Sequence, residues 1–218
     1  MGMSDFPTHW SDVRREYART GLHERDLDPN PIRQFEAWLS DAVGRNLTEA
    51  TAMTLATATP DGRPSARIVL LKHVDDDGLV FFTNYDSDKG RELAANPQAA
   101  LLLYWAELER QVRVHGGVNK VPRGQTEAYF QTRPLGARLS AWASAQSRVI
   151  PSREDLERRV DELRAEFGEH VPCPPNWGGY VLRPDTFEFW QGRLDRLHDR
   201  LRYRRQPDGS WLIDRLAP

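Results

Sequence analysis

The feature that most constrains the fold is a series of short apolar strands separated by tight turns. Strands are predicted at residues 52–59, 65–74, 79–84, 99–105 and 111–118. The sequence Pro60-Asp61-Gly62 is a turn signal between the first two strands, and residues 75–78 form another before the third. Strands this closely spaced favour an antiparallel barrel or sandwich.

Helices are predicted around these strands. A charged stretch at residues 10–20 is compatible with a short helix, and Asn30 followed by Pro31 is typical of a helix start. The apolar positions predicted to face the core from that helix are Ile32, Phe35, Trp38, Leu39, Ala42 and Val43. Further helices are predicted at residues 86–96, 125–131, 137–145 and 152–167, and further strands at 180–183, 186–190, 201–205 and 211–216.

The expected architecture is therefore mainly β with α, an α+β protein. A Pro-rich link at residues 171–175 precedes the last strands, but the roughly 40 residues beyond it are few for a separate core. We expect an N-terminal arm or lid over residues 1–30 and a single domain over residues 31–218, in which the last strands complete the first sheet.

Composition excludes several function classes. The chain has 218 residues, with 30 basic and 32 acidic side chains, and this near balance argues against a nucleic-acid-binding surface. Its one cysteine, Cys173, excludes an internal disulfide and a multi-cysteine metal site, and no histidine pair has metal-binding spacing. No apolar run reaches the roughly 20 residues of a membrane span, and no signal peptide is visible. We expect a cytoplasmic protein with no metal and no membrane partner.

Charged residues interrupt the apolar strands at chemically informative places. In the run from Arg67 to Lys72, alternation puts Arg67 with Val69 and Leu71 on one sheet face and Lys72 on the other. Two cations on an apolar strand are costly unless each reaches water or an anion, and both alternatives stay open here. Lys89 lies at a predicted helix start, where anions bind.

A second group of cations lies near the C-terminus. Arg196, His198 and Arg200 share one face if their segment is extended, and aromatic residues precede them. Such a stripe fits a nucleic acid or a phosphorylated aromatic small molecule. Both alternatives stay open at this point.

A set of motifs then suggests a family. The motifs are Arg14-Arg15-Glu16-Tyr17, Arg67-Ile68-Val69-Leu70-Leu71-Lys72, Phe81-Phe82-Thr83-Asn84, Glu109-Arg110-Gln111-Val112-Arg113, Gln146-Ser147, Trp177-Gly178-Gly179-Tyr180, Glu188-Phe189-Trp190-Gln191-Gly192 and Arg196-Leu197-His198-Asp199-Arg200. In this order and at this spacing, the sequence resembles the pyridoxamine/pyridoxine 5′-phosphate oxidase family along nearly its whole length.

The resemblance implies an FMN-binding split β-barrel with surrounding helices, working as a homodimer with FMN at the subunit interface. It also implies a reaction. Pyridoxamine 5′-phosphate or pyridoxine 5′-phosphate is oxidised to pyridoxal 5′-phosphate, with hydride transfer from substrate C4′ to flavin N5. Oxygen then reoxidises the flavin and gives hydrogen peroxide, and the amine substrate releases ammonia.

The resemblance also implies the site residues. Those matching FMN contacts are Arg67, Ile68, Val69, Leu70, Leu71, Lys72, Phe82, Thr83, Lys89, Gln111, Gln146, Ser147, Trp190 and Arg200. Those matching substrate contacts are Arg14, Tyr17, Lys72, Tyr129, Arg133, Arg196 and His198. Arg196 and His198 match the catalytic pair that holds the pyridine ring and its reacting substituent.

Two departures from the family pattern bear on this assignment. Asp88 stands where many members have an arginine, so either its side chain points away from the FMN phosphate or another arginine compensates for it. Ala137 stands where members often have a serine, and Ser140 or Arg138 is the expected substitute. Two alternatives therefore stay open: a related flavin oxidase acting on another ring, as in phenazine biosynthesis, and a non-catalytic flavin-binding protein.

Overall fold

A computed structural model describes residues 21–218. Its strands are β1 (Ala52–Ala58), β2 (Pro64–Leu70), β3 (His73–Asp75), β4 (Gly78–Asn84), β5 (Gln98–Trp105), β6 (Arg110–Lys120), β7 (Trp177–Gln191), β8 (Asp199–Arg205) and β9 (Trp211–Leu216). Its α-helices are α1 (Pro31–Gly44), α2 (Asp88–Ala95), α3 (Arg123–Thr132), α4 (Leu135–Ala143) and α5 (Arg153–Phe167). The helix predicted at residues 10–20 lies outside the described residues.

The strands form one antiparallel sheet. The order is β2-β1-β5-β6-β7-β4-β3, and β8 pairs with β7 and β9. The long strand β7 pairs with β4 through its first half and with β8 through its second half. Because β2 also approaches β4, the sheet curls into an incomplete barrel. The prediction of an antiparallel split barrel with surrounding helices is confirmed.

The core lies inside the curl and under α1. Leu55, Leu101 and Val112 are fully buried on the inner face, and the ring of Trp38 from α1 meets Phe189 edge-on at 5.2 Å. Helix α1 begins as predicted, since the Asn30 side chain accepts a hydrogen bond from the Ile32 amide. The expected core position Val43 is wrong: it is 52% exposed, in the last turn of α1.

A smaller core forms where α3, α4 and α5 pack beside the barrel. Its buried members are Phe130, Leu139, Leu163, Val171 and Trp177. Trp177 is also the first residue of β7, so this second core is fixed to the end of the sheet. The space between the two packed regions holds the cavity described below.

The structure corrects two predicted elements and answers one open question. The predicted strand at residues 65–74 is divided into β2 and β3. The Leu71 amide donates to the carbonyl of Thr51, just before β1, whereas the Lys72 amide donates to the carbonyl of Val80 in β4. The strands predicted at 180–183 and 186–190 are one strand, β7. Pro184 has no N–H to donate, and the β6–β7 pairing shifts its register next to this residue. The Arg196 segment, for which an extended conformation was one possibility, is a turn.

Within residues 21–218, no helix is long and apolar enough to cross a membrane. In the same part of the chain, no three His, Cys, Asp or Glu side chains are grouped to hold a metal ion.

Candidate active site

A cavity of about 630 Å³ opens between the barrel and the helices α3 and α4. Strand β2 and the end of β4 form one side of it, and α3 and α4 form the other. The predicted site residues that line it are Ile68, Val69, Leu70, Lys72, Phe82, Thr83, Lys89, Tyr129, Arg133 and Gln146. One cavity thus brings together residues that are up to 78 positions apart in the sequence, from Ile68 to Gln146.

A cationic corner lies where α2 begins. Ser87 caps the helix by accepting a hydrogen bond from the Gly90 amide at 3.3 Å. The Lys89 ammonium donates to Gln146 Oε1 at 3.1 Å, and Thr83 donates to the same oxygen at 3.2 Å. Burial lowers the pKa of Lys89, and the nearby charge of Arg67 lowers it further. A half-buried ammonium beside a helix N-terminus is an anion-binding arrangement.

Arg67 stands behind this corner and is not in the cavity wall itself. Its Nη1 donates to Thr57 Oγ1 at 2.5 Å and to the Leu55 carbonyl at 3.4 Å. Its Nη2 donates to Ser65 Oγ at 2.5 Å and to Glu92 Oε2 at 2.9 Å. Arg67 therefore reaches an anion from its own chain, and the alternative that it lies free in solvent is wrong.

The neighbouring departure, Asp88, has a cationic partner on its own helix. Arg91, one turn further along α2, forms an ion pair with the Asp88 carboxylate. The Asp88 amide donates to Ser147 Oγ at 3.2 Å, which ties the helix start to the loop that carries Gln146. The Asp88 carboxylate pairs with Arg91 and is not in the cavity lining within the described residues, so both expected explanations agree with the structure.

An aromatic wall faces the cationic corner. Phe82 stacks on Tyr129 with ring centroids 4.1 Å apart and on Trp177 at 5.2 Å. The Arg133 guanidinium lies 4.6 Å from the Trp177 ring centroid. Its Nη1 is buried and has no hydrogen-bond partner within the described residues. Burial lowers the pKa of Arg133, and a buried donor without an acceptor indicates a place for an anionic ligand.

Helix α4 resolves the second departure. Ser140 lines the cavity and donates to the Gly136 carbonyl at 2.8 Å. Arg138 instead donates to Gln131 and to the Glu169 carbonyl. Of the two expected substitutes for the missing serine, Ser140 is the one in position.

The sequence reasoning did not assign several residues of this cavity. They are Asn84, Thr132, Pro134, Ala141, Ser144 and Trp177. Trp177 was recognisable only as part of a motif, because nothing local shows that it stacks on Phe82. Like Arg67, the predicted residues Leu71 and Ser147 lie near the cavity but not in its lining: Leu71 is buried, and Ser147 lies beside the corner.

A second group of predicted residues lies on neighbouring strands. Gln111 on β6 is opposite Trp190 on β7, and Trp190 is opposite Arg200 on β8. Arg200 donates through Nε to Glu188 at 2.8 Å. None of these residues lines the cavity within the described part of the chain, and neither Arg196 nor His198 does.

A strained turn carries Arg196 and His198. Asp195 and Arg196 have φ of 54° and 60°, a left-handed conformation that is rare for residues other than glycine. The Arg193 amide donates to His198 Nδ1 at 3.1 Å, so the proton of the neutral ring is on Nε2. Burial lowers the pKa of His198, and the charge of Arg196 lowers it further. Because of the turn, Arg196 and His198 do not share a strand face with Arg200.

Arg14 and Tyr17, the remaining predicted substrate contacts, lie outside the described residues.

Comparison with known proteins agrees with this geometry. The sequence profile described as pyridoxamine 5′-phosphate oxidase matches residues 39–167. The profile described as the pyridoxine 5′-phosphate oxidase C-terminal dimerisation region matches residues 177–218. A pyridoxine/pyridoxamine 5′-phosphate oxidase of Ralstonia nicotianae is 59% identical over 211 residues, which are 97% of this chain and 100% of that one. Another from Thermosynechococcus vestitus is 57% identical over the same coverage.

Solved structures give the same fold. PhzG from Burkholderia lata, in complex with tetrahydrophenazine-1-carboxylic acid, aligns with a TM-score of 0.86 and 36% identity over 90% of this chain and 98% of that one. An FMN-binding protein of Nostoc punctiforme aligns with a TM-score of 0.71 and 22% identity over 88% of this chain and 100% of that one. The curled sheet and its basic, aromatic cavity define a split-barrel protein of the flavin-binding class. On the profiles and on relatives that match over nearly the whole chain, it belongs to the pyridoxamine 5′-phosphate oxidase family.

Proposed function

We propose that this protein is an FMN-dependent oxidase that converts pyridoxamine 5′-phosphate and pyridoxine 5′-phosphate to pyridoxal 5′-phosphate. Oxygen accepts the electrons and gives hydrogen peroxide, and the amine substrate also releases ammonia. The observation that carries the proposal is a single cavity with two anion-binding places, the Lys89 corner and the buried Arg133 guanidinium. Two phosphorylated ring compounds, a cofactor and a substrate, need two such places.

The residues of the corner fit FMN. A phosphate dianion suits the Lys89 ammonium and the N-terminus of α2, with Gln146 and Ser147 beside them. Apolar side chains of β2 and the ring of Phe82 border the adjoining space, as a flat ring system requires. When bound, FMN supplies the hydride acceptor and the reaction with oxygen. We assign Arg67, Thr83 and the residues from Ile68 to Lys72 to this cofactor site.

The opposite end of the cavity fits the substrate phosphate. Arg133 presents its buried Nη1, and Lys72 and Tyr129 line the same cavity. These three residues hold the phosphate, and the stacked rings behind Arg133 exclude water from it. Positioning of this kind is a large part of catalysis when the reacting atoms must meet at a defined distance. Arg14 and Tyr17 remain predicted contacts from the N-terminal arm.

We assign the reacting end of the substrate to the strained turn. His198 holds its proton on Nε2 and donates it as a hydrogen bond to the substituent at C4′, while Arg196 binds the pyridine ring. The lowered pKa of His198 keeps its ring neutral at physiological pH, so it is not a second cation beside Arg196.

The second group of residues enters the site from the other subunit of a homodimer. Gln111, Trp190, Arg196, His198 and Arg200 do not line the cavity of their own chain, and all but Gln111 belong to the region that matches the dimerisation profile. A two-fold axis gives each cavity the other chain's group, because an isologous interface exchanges equivalent surfaces. Each of the two sites is then complete only in the dimer.

Two coarser assignments accompany this function. We propose that residues 31–218 are one folding unit after an arm of residues 1–30, since β7 pairs with β4 and β6 and joins the C-terminal section to the first sheet. We also propose that the enzyme works in the cytoplasm.

The test is anaerobic mixing of the FMN-loaded protein with each candidate substrate. Pyridoxamine 5′-phosphate and pyridoxine 5′-phosphate should bleach the flavin absorbance and be oxidised to the aldehyde product in the same step, and readmitted oxygen should restore the absorbance with formation of hydrogen peroxide. A protein that cannot be loaded with FMN contradicts the proposal. A loaded protein that neither vitamer reduces indicates the non-catalytic alternative.

The likeness to PhzG favours one second candidate, an oxidase acting on a reduced phenazine ring. Such a ring carries a carboxylate but no phosphate, so it has less negative charge to pair with Lys72 and Arg133 at the cationic end of the cavity. Flavin reduction by tetrahydrophenazine-1-carboxylic acid, faster than by either vitamer, would favour this candidate.

A further inference from the structure

Glu92 lies on the same helix as Lys89, one turn further on, and no part of the proposed function uses it. Its Oε2 accepts hydrogen bonds from Arg67 Nη2 at 2.9 Å and from Thr57 Oγ1. Arg67 Nη1 also donates to Thr57 Oγ1. Arg67, Thr57 and Glu92 therefore form a closed ring of hydrogen bonds behind the cationic corner.

The ring is sheltered from water. Thr57 is buried, and the side chains of Arg67 and Glu92 are 19% and 15% exposed. Ion pairs at this depth are screened less than surface pairs, and removing one partner leaves the other charge uncompensated. Burial works to raise the pKa of Glu92, but hydrogen bonds from Thr57 and Arg67 outweigh it and lower the pKa, so Glu92 is an anion.

Two cations share this small region. Burial and the charge of Arg67 lower the pKa of Lys89, whereas the charges of Asp88 and Glu92 act in the opposite direction. Without a carboxylate, Arg67 and Lys89 repel each other in the FMN-free protein, and Arg67 loses one of the acceptors that fix its guanidinium. Preorganised charges bind more tightly because their ordering cost is met before the ligand arrives.

We propose that Glu92 is a positioning residue for the FMN phosphate, which holds Arg67 in place and keeps the Arg67–Lys89 cation pair assembled before FMN binds. This inference rests on the proposed cofactor site and adds to it the residue that preorganises it. Glu92 does not touch the cofactor; it acts through Arg67.

The experiment compares binding of FMN and of riboflavin to the FMN-free protein, followed by quenching of flavin fluorescence. Riboflavin has the same ring system but no phosphate. We expect Glu92→Ala to weaken FMN binding about tenfold, the size of one lost charge-assisted hydrogen bond, and to leave riboflavin binding unchanged. Glu92→Gln keeps an acceptor of the same length and should recover part of the loss.

Glu157→Ala is the matched control, because it removes an exposed carboxylate that pairs with Arg153 on α5, away from the cavity. It should change neither affinity. Unchanged or tighter FMN binding in Glu92→Ala overturns the proposal, and so does an equal loss of both flavins, which would indicate general damage to the fold. Thermal unfolding of each variant without flavin identifies such damage.

The same measurements separate this inference from the function on which it rests. If the unsubstituted protein binds FMN no better than riboflavin, the phosphate site itself is wrong. If Lys89→Ala weakens FMN binding and Glu92→Ala does not, the cofactor site stands and only the role of Glu92 fails.

Discussion

The guanidinium of Arg133 lies 4.6 Å from the ring centroid of Trp177 and has one buried nitrogen without an acceptor. The contact joins α3 to the first residue of β7, so the donor is held rigidly in the wall of the cavity. A buried, unpaired donor costs free energy in the empty protein, and an anionic ligand recovers it.

Arg133→Ala should therefore weaken substrate binding and leave FMN binding unchanged. We expect the apparent Kd of pyridoxamine 5′-phosphate to rise about 10- to 100-fold, as expected for a lost bond between charged groups, with FMN affinity unchanged. Substrate titration under anaerobic conditions and flavin fluorescence measure the two. Gln131→Ala, two residues away in the last turn of α3 and outside the cavity lining, is the control. Equal losses of substrate and FMN would contradict the division of the cavity.

Arg196→Ala and His198→Ala should slow flavin reduction far more than they weaken FMN retention. Both residues are assigned to the reacting end of the substrate, so their loss affects the positioning of C4′ and not the cofactor phosphate. Arg67→Ala should weaken FMN retention more than it slows flavin reduction, because Arg67 lies behind the cationic corner that we assign to the FMN phosphate. Stopped-flow reduction and the flavin content after gel filtration provide the two readouts. Similar FMN loss in both classes of variant would show that the assignment is wrong.

The pH dependence of flavin reduction should report His198. Burial and Arg196 lower its pKa, so the ring stays neutral as the pH falls to the ordinary histidine value of about 6.5. Below the lowered pKa the ring gains a proton, Nδ1 can no longer accept from the Arg193 amide, and the rate should fall. The unfolded chain binds this proton at higher pH than the folded one, so His198 also costs stability as the pH falls below about 6.5.

His198→Gln provides the comparison for that profile, because glutamine is neutral throughout the range. Ionisation of the substrate is common to both proteins, so the ratio of their rates isolates the histidine. A ratio that is constant from pH 8 to pH 5 would exclude His198 as the titrating group.

The Asp88–Arg91 ion pair should tune FMN affinity only modestly. Arg91→Ala uncovers the Asp88 carboxylate beside the phosphate corner and should weaken FMN binding about two- to fivefold, as expected for an exposed pair. Asp88→Asn should strengthen it by a similar factor, and the double variant should return close to the parent value. Fluorescence titration at low and high salt measures these effects, which salt should diminish. An unchanged FMN affinity in Arg91→Ala would show that Arg91 does not offset the charge of Asp88 at the FMN phosphate.

Mixed dimers test whether each site draws on both chains. Arg133 lines the cavity, whereas Arg196 belongs to the second group, which we assign to the other chain's site. In a purified heterodimer of Arg133→Ala and Arg196→Ala, one site carries both substitutions and the other carries neither, so about half of the parent activity should remain. A heterodimer of Arg133→Ala and Lys72→Ala, two residues that line the cavity, has no intact site and should keep about a tenth of the parent activity or less at substrate concentrations below the parent KM. Equal inactivity of the two heterodimers would place both groups in the same chain.

Much of the fold could be predicted from local signals. Asn30 and Ser152 mark the starts of α1 and α5, and the turn after β1 separates two strands that do pair. The strand boundaries near Leu71 and Pro184 were mispredicted, because they depend on which neighbour each backbone amide meets across the sheet. No local pattern reports a change of hydrogen-bond partner.

The sequence by itself determined the alternation of short strands, the helix caps and the motifs that identify the family. These properties depend on the dihedral preferences and hydrophobic pattern of neighbouring residues. Only the tertiary structure decided that Glu92 pairs with Arg67 and that Trp177 stacks on Phe82. Side-chain partners more than a few residues apart meet only after the sheet curls, because burial and pairing across strands bring distant segments together. For the same reason, only the tertiary structure shows that the residues around His198 do not line the cavity of their own chain.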